Sequence, residues 1–205
     1  MIERYDNAIQ IAVLAVCAVI AIYRAVKYRS RSWTLLFFYY GSCLLGDVYW
    51  TVCLLFYDTT PQISVVADLS WYAAYIFLYL LLRHTSPPEE FAGTKPISWL
   101  GPVFAFGMAV FFMLRGEIIS NLIYAGLIGL LLFAAIQRIP EKRKPGHSSF
   151  LPVVILIFCL LEYSLWTASC FWDETVLLHP YYVCDILLTV SFLFFIPATK
   201  KVAAA

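Results

Sequence analysis

The chain has 205 residues, 62% of them hydrophobic and 13% charged, with a formal net charge of +1. A soluble domain of this length cannot hide so much apolar surface, so the composition calls for lipid as solvent. It also gives no support to nucleic-acid binding, because the basic residues stand where membrane topology already requires them.

Hydropathy along the chain predicts seven helical spans near 7–23, 33–56, 63–82, 97–114, 118–137, 150–172 and 179–197. A bilayer core of about 30 Å takes about 20 residues of helix, so seven spans and short loops use the whole length as one transmembrane domain, 1–205. No soluble domain is expected. The first span has Glu3 and Asp6 where a signal peptide would carry positive charge, and no small-residue cleavage site follows it, so it reads as a helix. Ala203, Ala204 and Ala205 read as a remnant of cloning and carry no weight.

Orientation follows from the loops, since Lys and Arg are held on the cytoplasmic side. Arg24, Lys27, Arg29 and Arg31 follow the first span, Arg83 and Lys95 the third, Arg138, Lys142, Arg143 and Lys144 the fifth, and Lys200 and Lys201 the last. This places 12 of the 14 basic residues inside and leaves only Arg4 and Arg115 outside, so the N-terminus is expected outside and the C-terminus in the cytoplasm. The setting expected is a bacterial cell membrane.

The chain also resembles itself. CLLGDVYWT from Cys43 and CLLEYSLWT from Cys159 share Cys, Leu, Leu, Trp and Thr at an offset of 116, and Asn7 with AIYR matches Asn121 with AIQR at an offset of 114. The fold class expected is therefore an all-α membrane protein with two parallel three-helix repeats, 7–82 and 118–197, joined by a linker helix at 97–114.

Four acids fall inside spans: Asp47, Asp68, Glu162 and Asp185. Each costs about 2.5–3.5 kcal/mol at the centre of a lipid-facing helix, so each is expected to face the protein interior or water. Their depths put all four in the outer half, on equivalent helices of the two repeats, with no Lys or Arg at that depth. A shared acidic and aromatic cavity open to the exterior is the expectation. Tyr49 and Trp50 accompany Asp47, Tyr163 and Trp166 accompany Glu162, and Tyr182 stands one helical turn before Asp185, so these are the candidate binding residues beside Asp68 and Asp185. Asp47 and Glu162 are the candidate catalytic pair.

Other machinery is missing from the spans. The seventh, 179–197, has no lysine for a retinal Schiff base, and no HExxH, glycine-rich phosphate loop or Cys–His metal spacing occurs. All six cysteines lie in spans without paired spacing and read as buried thiols. His179 at the head of that span is the one histidine near the acids, and an interfacial histidine is normally solvated. Neither a metal nor another cofactor is expected.

SCLLGDVYW in the second span, LLEYSLW in the sixth and HPYYVCD at the start of the seventh resemble segments of the lysoplasmalogenase family of membrane proteins. That resemblance implies hydrolysis of the vinyl ether bond of a lysoplasmalogen, an amphiphilic membrane lipid. Asp47 and Glu162 would then supply the acid and the carboxylate. The three-plus-one-plus-three layout is also similar to that of the SWEET and PQ-loop transporters, with Pro61-Gln62 and Leu69-Ser70 faintly like the PQ motif. It implies a carrier, or a seven-helix sensor, taking a cationic or polar solute into the same cavity.

The charge pattern makes a direct prediction. A green fluorescent protein fused after Val202 should fluoresce and an alkaline phosphatase fused there should be inactive, whereas the opposite pair of results would reverse the orientation.

Overall fold

The computed structural model describes residues 2–57, 65–86, 93–115, 118–139, 149–171 and 179–203. Among these residues there is no strand. Seven α-helices follow one another: α1 (Ile2–Tyr28), α2 (Arg31–Tyr57), α3 (Val65–His84), α4 (Leu100–Met113), α5 (Ile118–Arg138), α6 (Phe150–Ser169) and α7 (Pro180–Ala203), with a 3-10 turn, Pro96–Trp99, leading into α4. Pro61 and Gln62 lie outside the described residues.

Six of the helices are long and apolar enough to cross a bilayer, α4 doing so together with its 3-10 turn. Large apolar side chains lie exposed on their outer faces, among them Val19, Val26, Val103 and Ile119, as lipid-facing helices require. The chain is thus a multi-pass helical membrane protein. α2 has 27 residues but is not among these six, its apolar run being interrupted by Tyr39, Tyr40, Gly41, Ser42, Gly46 and Asp47. Its packing explains that composition: it lies against α1 on one side and α3 on the other and also meets α7.

The helices close into a ring in the order α1, α2, α3, α5, α6, α7 and back to α1, each packing on the next. α4 stands outside this ring against α5. Its inner face is a ladder of small residues, Gly101, Ala105 and Ala109, spaced four apart and buried. A Cβ on Gly101 would come 2.7 Å from Leu132 Cβ and 2.9 Å from the Phe133 backbone nitrogen, so the absent side chain sets the helix separation. Without a hydrophobic drive between helices in lipid, such close backbone approach is what holds them.

Short connections fix the basic end of the bundle. Arg29 takes a left-handed conformation at φ 49°, and the Ser30 amide reaches back to the Ala25 carbonyl at 3.3 Å, which ends α1 and lets α2 start at Arg31. The buried Gln137 of α5 accepts from the Lys95 amide at 2.9 Å and the Ser98 hydroxyl at 2.8 Å, and donates to the Gly93 carbonyl. Arg138 beside it donates to the Thr85 hydroxyl and carbonyl, so the end of α3 and the approach to α4 are both tied to α5.

The half of the ring nearest this end is filled by aromatic rings. Tyr39, Tyr40, Phe158, Phe192 and Phe195 are each 2% exposed or less, with centroids 5.1–6.3 Å apart. The Tyr40 hydroxyl donates to the Phe192 carbonyl at 2.6 Å, linking α2 to α7 through the centre.

Replacing Gly101 with valine should overpack the α4–α5 crossing and lower stability by about 1–3 kcal/mol, read as a lower midpoint of thermal unfolding in detergent. Gly107→Ala, where nothing lies within 4 Å of the added methyl, should leave the midpoint unchanged.

Candidate functional site

Helical periodicity decides which side chains share the space inside the ring. On α2 Asp47, Trp50 and Thr51 fall on one face, on α6 Glu162, Leu165, Trp166 and Ser169, and on α7 Tyr181, Asp185 and Leu188, each set spaced by three, four or seven. With Asn7 and Gln10 of α1, Trp71 and Tyr75 of α3 and Tyr124 of α5, they line one cavity of about 280 Å³. It lies where α2 and α6 end and α3 and α7 begin, about eight residues along α2 from the aromatic plug, or about 12 Å at 1.5 Å per residue. Three of the four membrane acids, Asp47, Glu162 and Asp185, therefore meet in one chamber, and no Lys, Arg or His among the described residues lines it.

Trp71 positions Asp47. Its indole Nε1 donates to Asp47 Oδ1 at 3.0 Å, and Gly46 makes room for it: a Cβ there would lie 2.6 Å from Trp71 Nε1. Gly46 and Asp47 are thus one device, the glycine admitting the ring that holds the next residue's carboxylate. Gln10 reaches the same carboxylate, while Asp47 Oδ2 is buried without a hydrogen-bond partner among the described residues. Across the chamber the Tyr75 hydroxyl comes within hydrogen-bonding reach of Glu162, and Asp6 of α1 comes within reach of Asp185.

Asp68 is placed differently. It lies in an adjoining chamber of about 350 Å³ that shares Trp50, Trp71, Tyr124, Trp166 and Ser169 with the first. There it accepts from Tyr124 at 3.1 Å and from Ser120 at 3.4 Å, one on each oxygen, and Tyr72 and Ser120 pair at 2.8 Å.

The aromatic residues divide by face. Trp50 and Trp166 line both chambers. Tyr49, Tyr163 and Tyr182 line neither. Tyr163 follows Glu162 by one residue, a rotation of about 100°, and packs instead on Phe104 and Phe112 of α4 with centroids 5.3 and 6.2 Å away. Tyr182 yields its expected place to Tyr181, four residues before Asp185, because positions four apart lie closer in rotation than positions three apart on this face. His179 caps α7: its Nδ1 accepts from the Tyr181 amide at 3.2 Å, so its Nε2 carries the hydrogen donated to the Phe171 carbonyl at 2.9 Å.

As site residues, sequence reasoning passed over Asp6, Asn7, Gln10 and Tyr124, while Trp71, Tyr75 and Tyr181 are aromatic neighbours of the acids that it does not select. The signal for the first three was present, since polar residues at 6, 7 and 10 lie within one helical turn of an otherwise apolar span. Tyr124 carried no such signal, because phenols in apolar helices are common and only packing aims them. Among the described residues no group of three His, Cys, Asp or Glu side chains is arranged to hold a metal ion, and all six cysteines are free.

Comparison of the chain with protein families, with curated proteins and with solved structures gives no match. What defines it is a helical membrane bundle with a carboxyl-lined, aromatic-walled chamber at one end.

A double-mutant cycle tests the Trp71–Asp47 link. Trp71→Phe and Asp47→Ala should couple by about 0.5–3 kcal/mol in unfolding free energy, and strict additivity would separate the two residues.

Proposed function

We propose that this chamber takes up a small cationic molecule from one side of the membrane, so that the protein acts as a seven-helix binding protein or sensor. One observation carries the reading: three carboxyl groups from both halves of the chain share a cavity of about 280 Å³ walled by Trp50, Trp71 and Trp166 and lined by no basic residue among those described. An ammonium group gains from both kinds of wall, Coulombic attraction from the carboxylates and the negative face of the indoles. Water-poor surroundings strengthen both.

One-sided access is supported by the plug of Tyr39, Tyr40, Phe158, Phe192 and Phe195, which fills the route toward the basic end. A carrier would need polar gates on both sides of the site. By the positive-inside rule the chamber opens to the exterior, with α2 as the seventh crossing.

The duplication belongs to the same proposal. At the offset of 114 Ser120 and Tyr124 correspond to Asp6 and Gln10. Asp68 bonds Ser120 and Tyr124 across α3 and α5, while Asp185 meets Asp6, and Thr189 meets Gln10 at 3.4 Å, across α7 and α1. The corresponding helix pairs, α3 with α5 and α7 with α1, are thus each joined by polar contacts that include the acid of the third helix, although Asp68 and Asp185 stand 117 residues apart and not 114 or 116.

A second reading is favoured by the free Oδ2 of Asp47. A carboxyl with one oxygen held and one buried but unpaired, in a chamber with Glu162, suits vinyl ether hydrolysis of the lysoplasmalogen type. The acid protonates the alkene carbon to give an oxocarbenium ion, water adds to it with loss of a proton to the second carboxylate, and the hemiacetal collapses to aldehyde and alcohol.

Choline is a suitable test cation. At one hundred times its Kd it should stabilise the purified protein by about 2.7 kcal/mol, and Asp47→Asn with Asp185→Asn should abolish the shift. Equal stabilisation by acetate, or none by choline, would overturn the reading. For the second, mass spectrometry should find aldehyde released from a vinyl ether lysolipid by the parent protein and not by Asp47→Ala; unchanged release from the variant would remove it.

A further inference from the structure

The acidic chamber adjoins one lined by a basic side chain. The two share Trp50, Trp71, Tyr124, Trp166 and Ser169, so a ligand in one is in contact with the walls of the other. Arg115, just beyond the end of α4, is the one basic residue lining either chamber among those described. Its guanidinium lies 4.1 Å from the Phe111 ring centroid and 5.5 Å from that of Phe171, and it has no acidic partner among the described residues. Stacking between rings fixes the plane of a guanidinium while leaving its N–H donors to bind elsewhere. Asp68, the acid of this second chamber, already accepts a hydroxyl on each oxygen.

Topology does not require this arginine. It lies at the end of the bundle away from the basic loops, where only Arg4 otherwise carries positive charge. Among the described residues, carboxyls with no basic neighbour in one chamber and an arginine with no ion-pair partner in the next, where Asp68 is taken up by Ser120 and Tyr124, make a site with unlike charges at its two ends.

We infer that the ligand is a zwitterion, its ammonium group among Asp47, Glu162, Asp185 and the tryptophans and its phosphate or carboxylate on Arg115. This rests on the cation-binding reading above and adds the anion. A guanidinium fork binds such anions through paired charge-assisted hydrogen bonds. The same chemistry is offered by a free betaine-like solute and by a zwitterionic lipid headgroup.

Calorimetric titration of the full chain in a neutral detergent separates these cases. Phosphocholine should bind about tenfold more tightly than choline, a difference of about 1.4 kcal/mol. Arg115→Gln should bring the ratio of the two affinities close to one, and Arg115→Lys should restore part of it. Lysophosphatidylcholine binding more tightly than phosphocholine would assign the zwitterion to a lipid, and equal binding would assign it to a free solute. A ratio near one in the parent protein, or a ratio that Arg115→Gln leaves unchanged, would overturn the inference while the cation site stands. Absence of binding by both choline and phosphocholine would strike the cation reading itself.

Discussion

A carboxyl group cannot face hydrocarbon without a partner, and the bundle is arranged around that constraint. Asp47, Asp68, Glu162 and Asp185 stand on four different helices, and on the lipid side each would cost about 2.5–3.5 kcal/mol. Turning each helix to bring its acid inward also brings in the residues three, four and seven positions away. Trp50 and Thr51 come with Asp47, Trp71 comes with Asp68, and Trp166 and Ser169 come with Glu162. The composition of the chamber wall is therefore a consequence of where the acids lie in each helix.

Holding those acids in place depends on packing in the rest of the molecule. Gly46 lets the Trp71 indole lie against α2 and hold Asp47, an arrangement that a single methyl group would displace. The aromatic plug closes the chamber at its inner end, with Tyr40 bonded to the Phe192 carbonyl, so that α2 and α7 cannot slide apart beneath it. α4 takes no part in the ring, yet its Phe112 packs on Trp166, which lines both chambers. Its small-residue ladder against α5 thus supports a wall of the site from outside.

Binding and catalysis ask different things of the same carboxyls. A cation is held by several fixed negative or polar groups and by the faces of the indoles, and needs no oxygen left open. Vinyl ether hydrolysis needs one open acid oxygen and a second carboxylate, with room for water between them. Asp47, with Trp71 holding one of its oxygens and the other unpaired, meets part of that second demand, whereas Trp50, Trp166 and the adjacent Arg115 have no role in it. On that balance recognition of a charged small molecule accounts for more of the chamber than hydrolysis does.

Composition and hydropathy were enough to establish a multi-pass helical membrane protein, because lipid imposes one simple rule on long segments: about 20 apolar residues with all backbone hydrogen bonds made internally. The inward placement of the acids was legible for the same reason. α2, expected as a span at 33–56, is not among the six helices apolar enough by composition to cross a bilayer, since polar residues on its packed faces interrupt its apolar run. Only the tertiary structure decided which face of each helix meets which neighbour. It turned Tyr163 toward α4 while Glu162 faces the chamber, chose Tyr181 over Tyr182, and brought Gln10 to Asp47 from far along the chain. One residue along a helix is about 100° of rotation, so a sequence can state that an acid must be buried while the partner that buries it is settled by the packing of the whole ring.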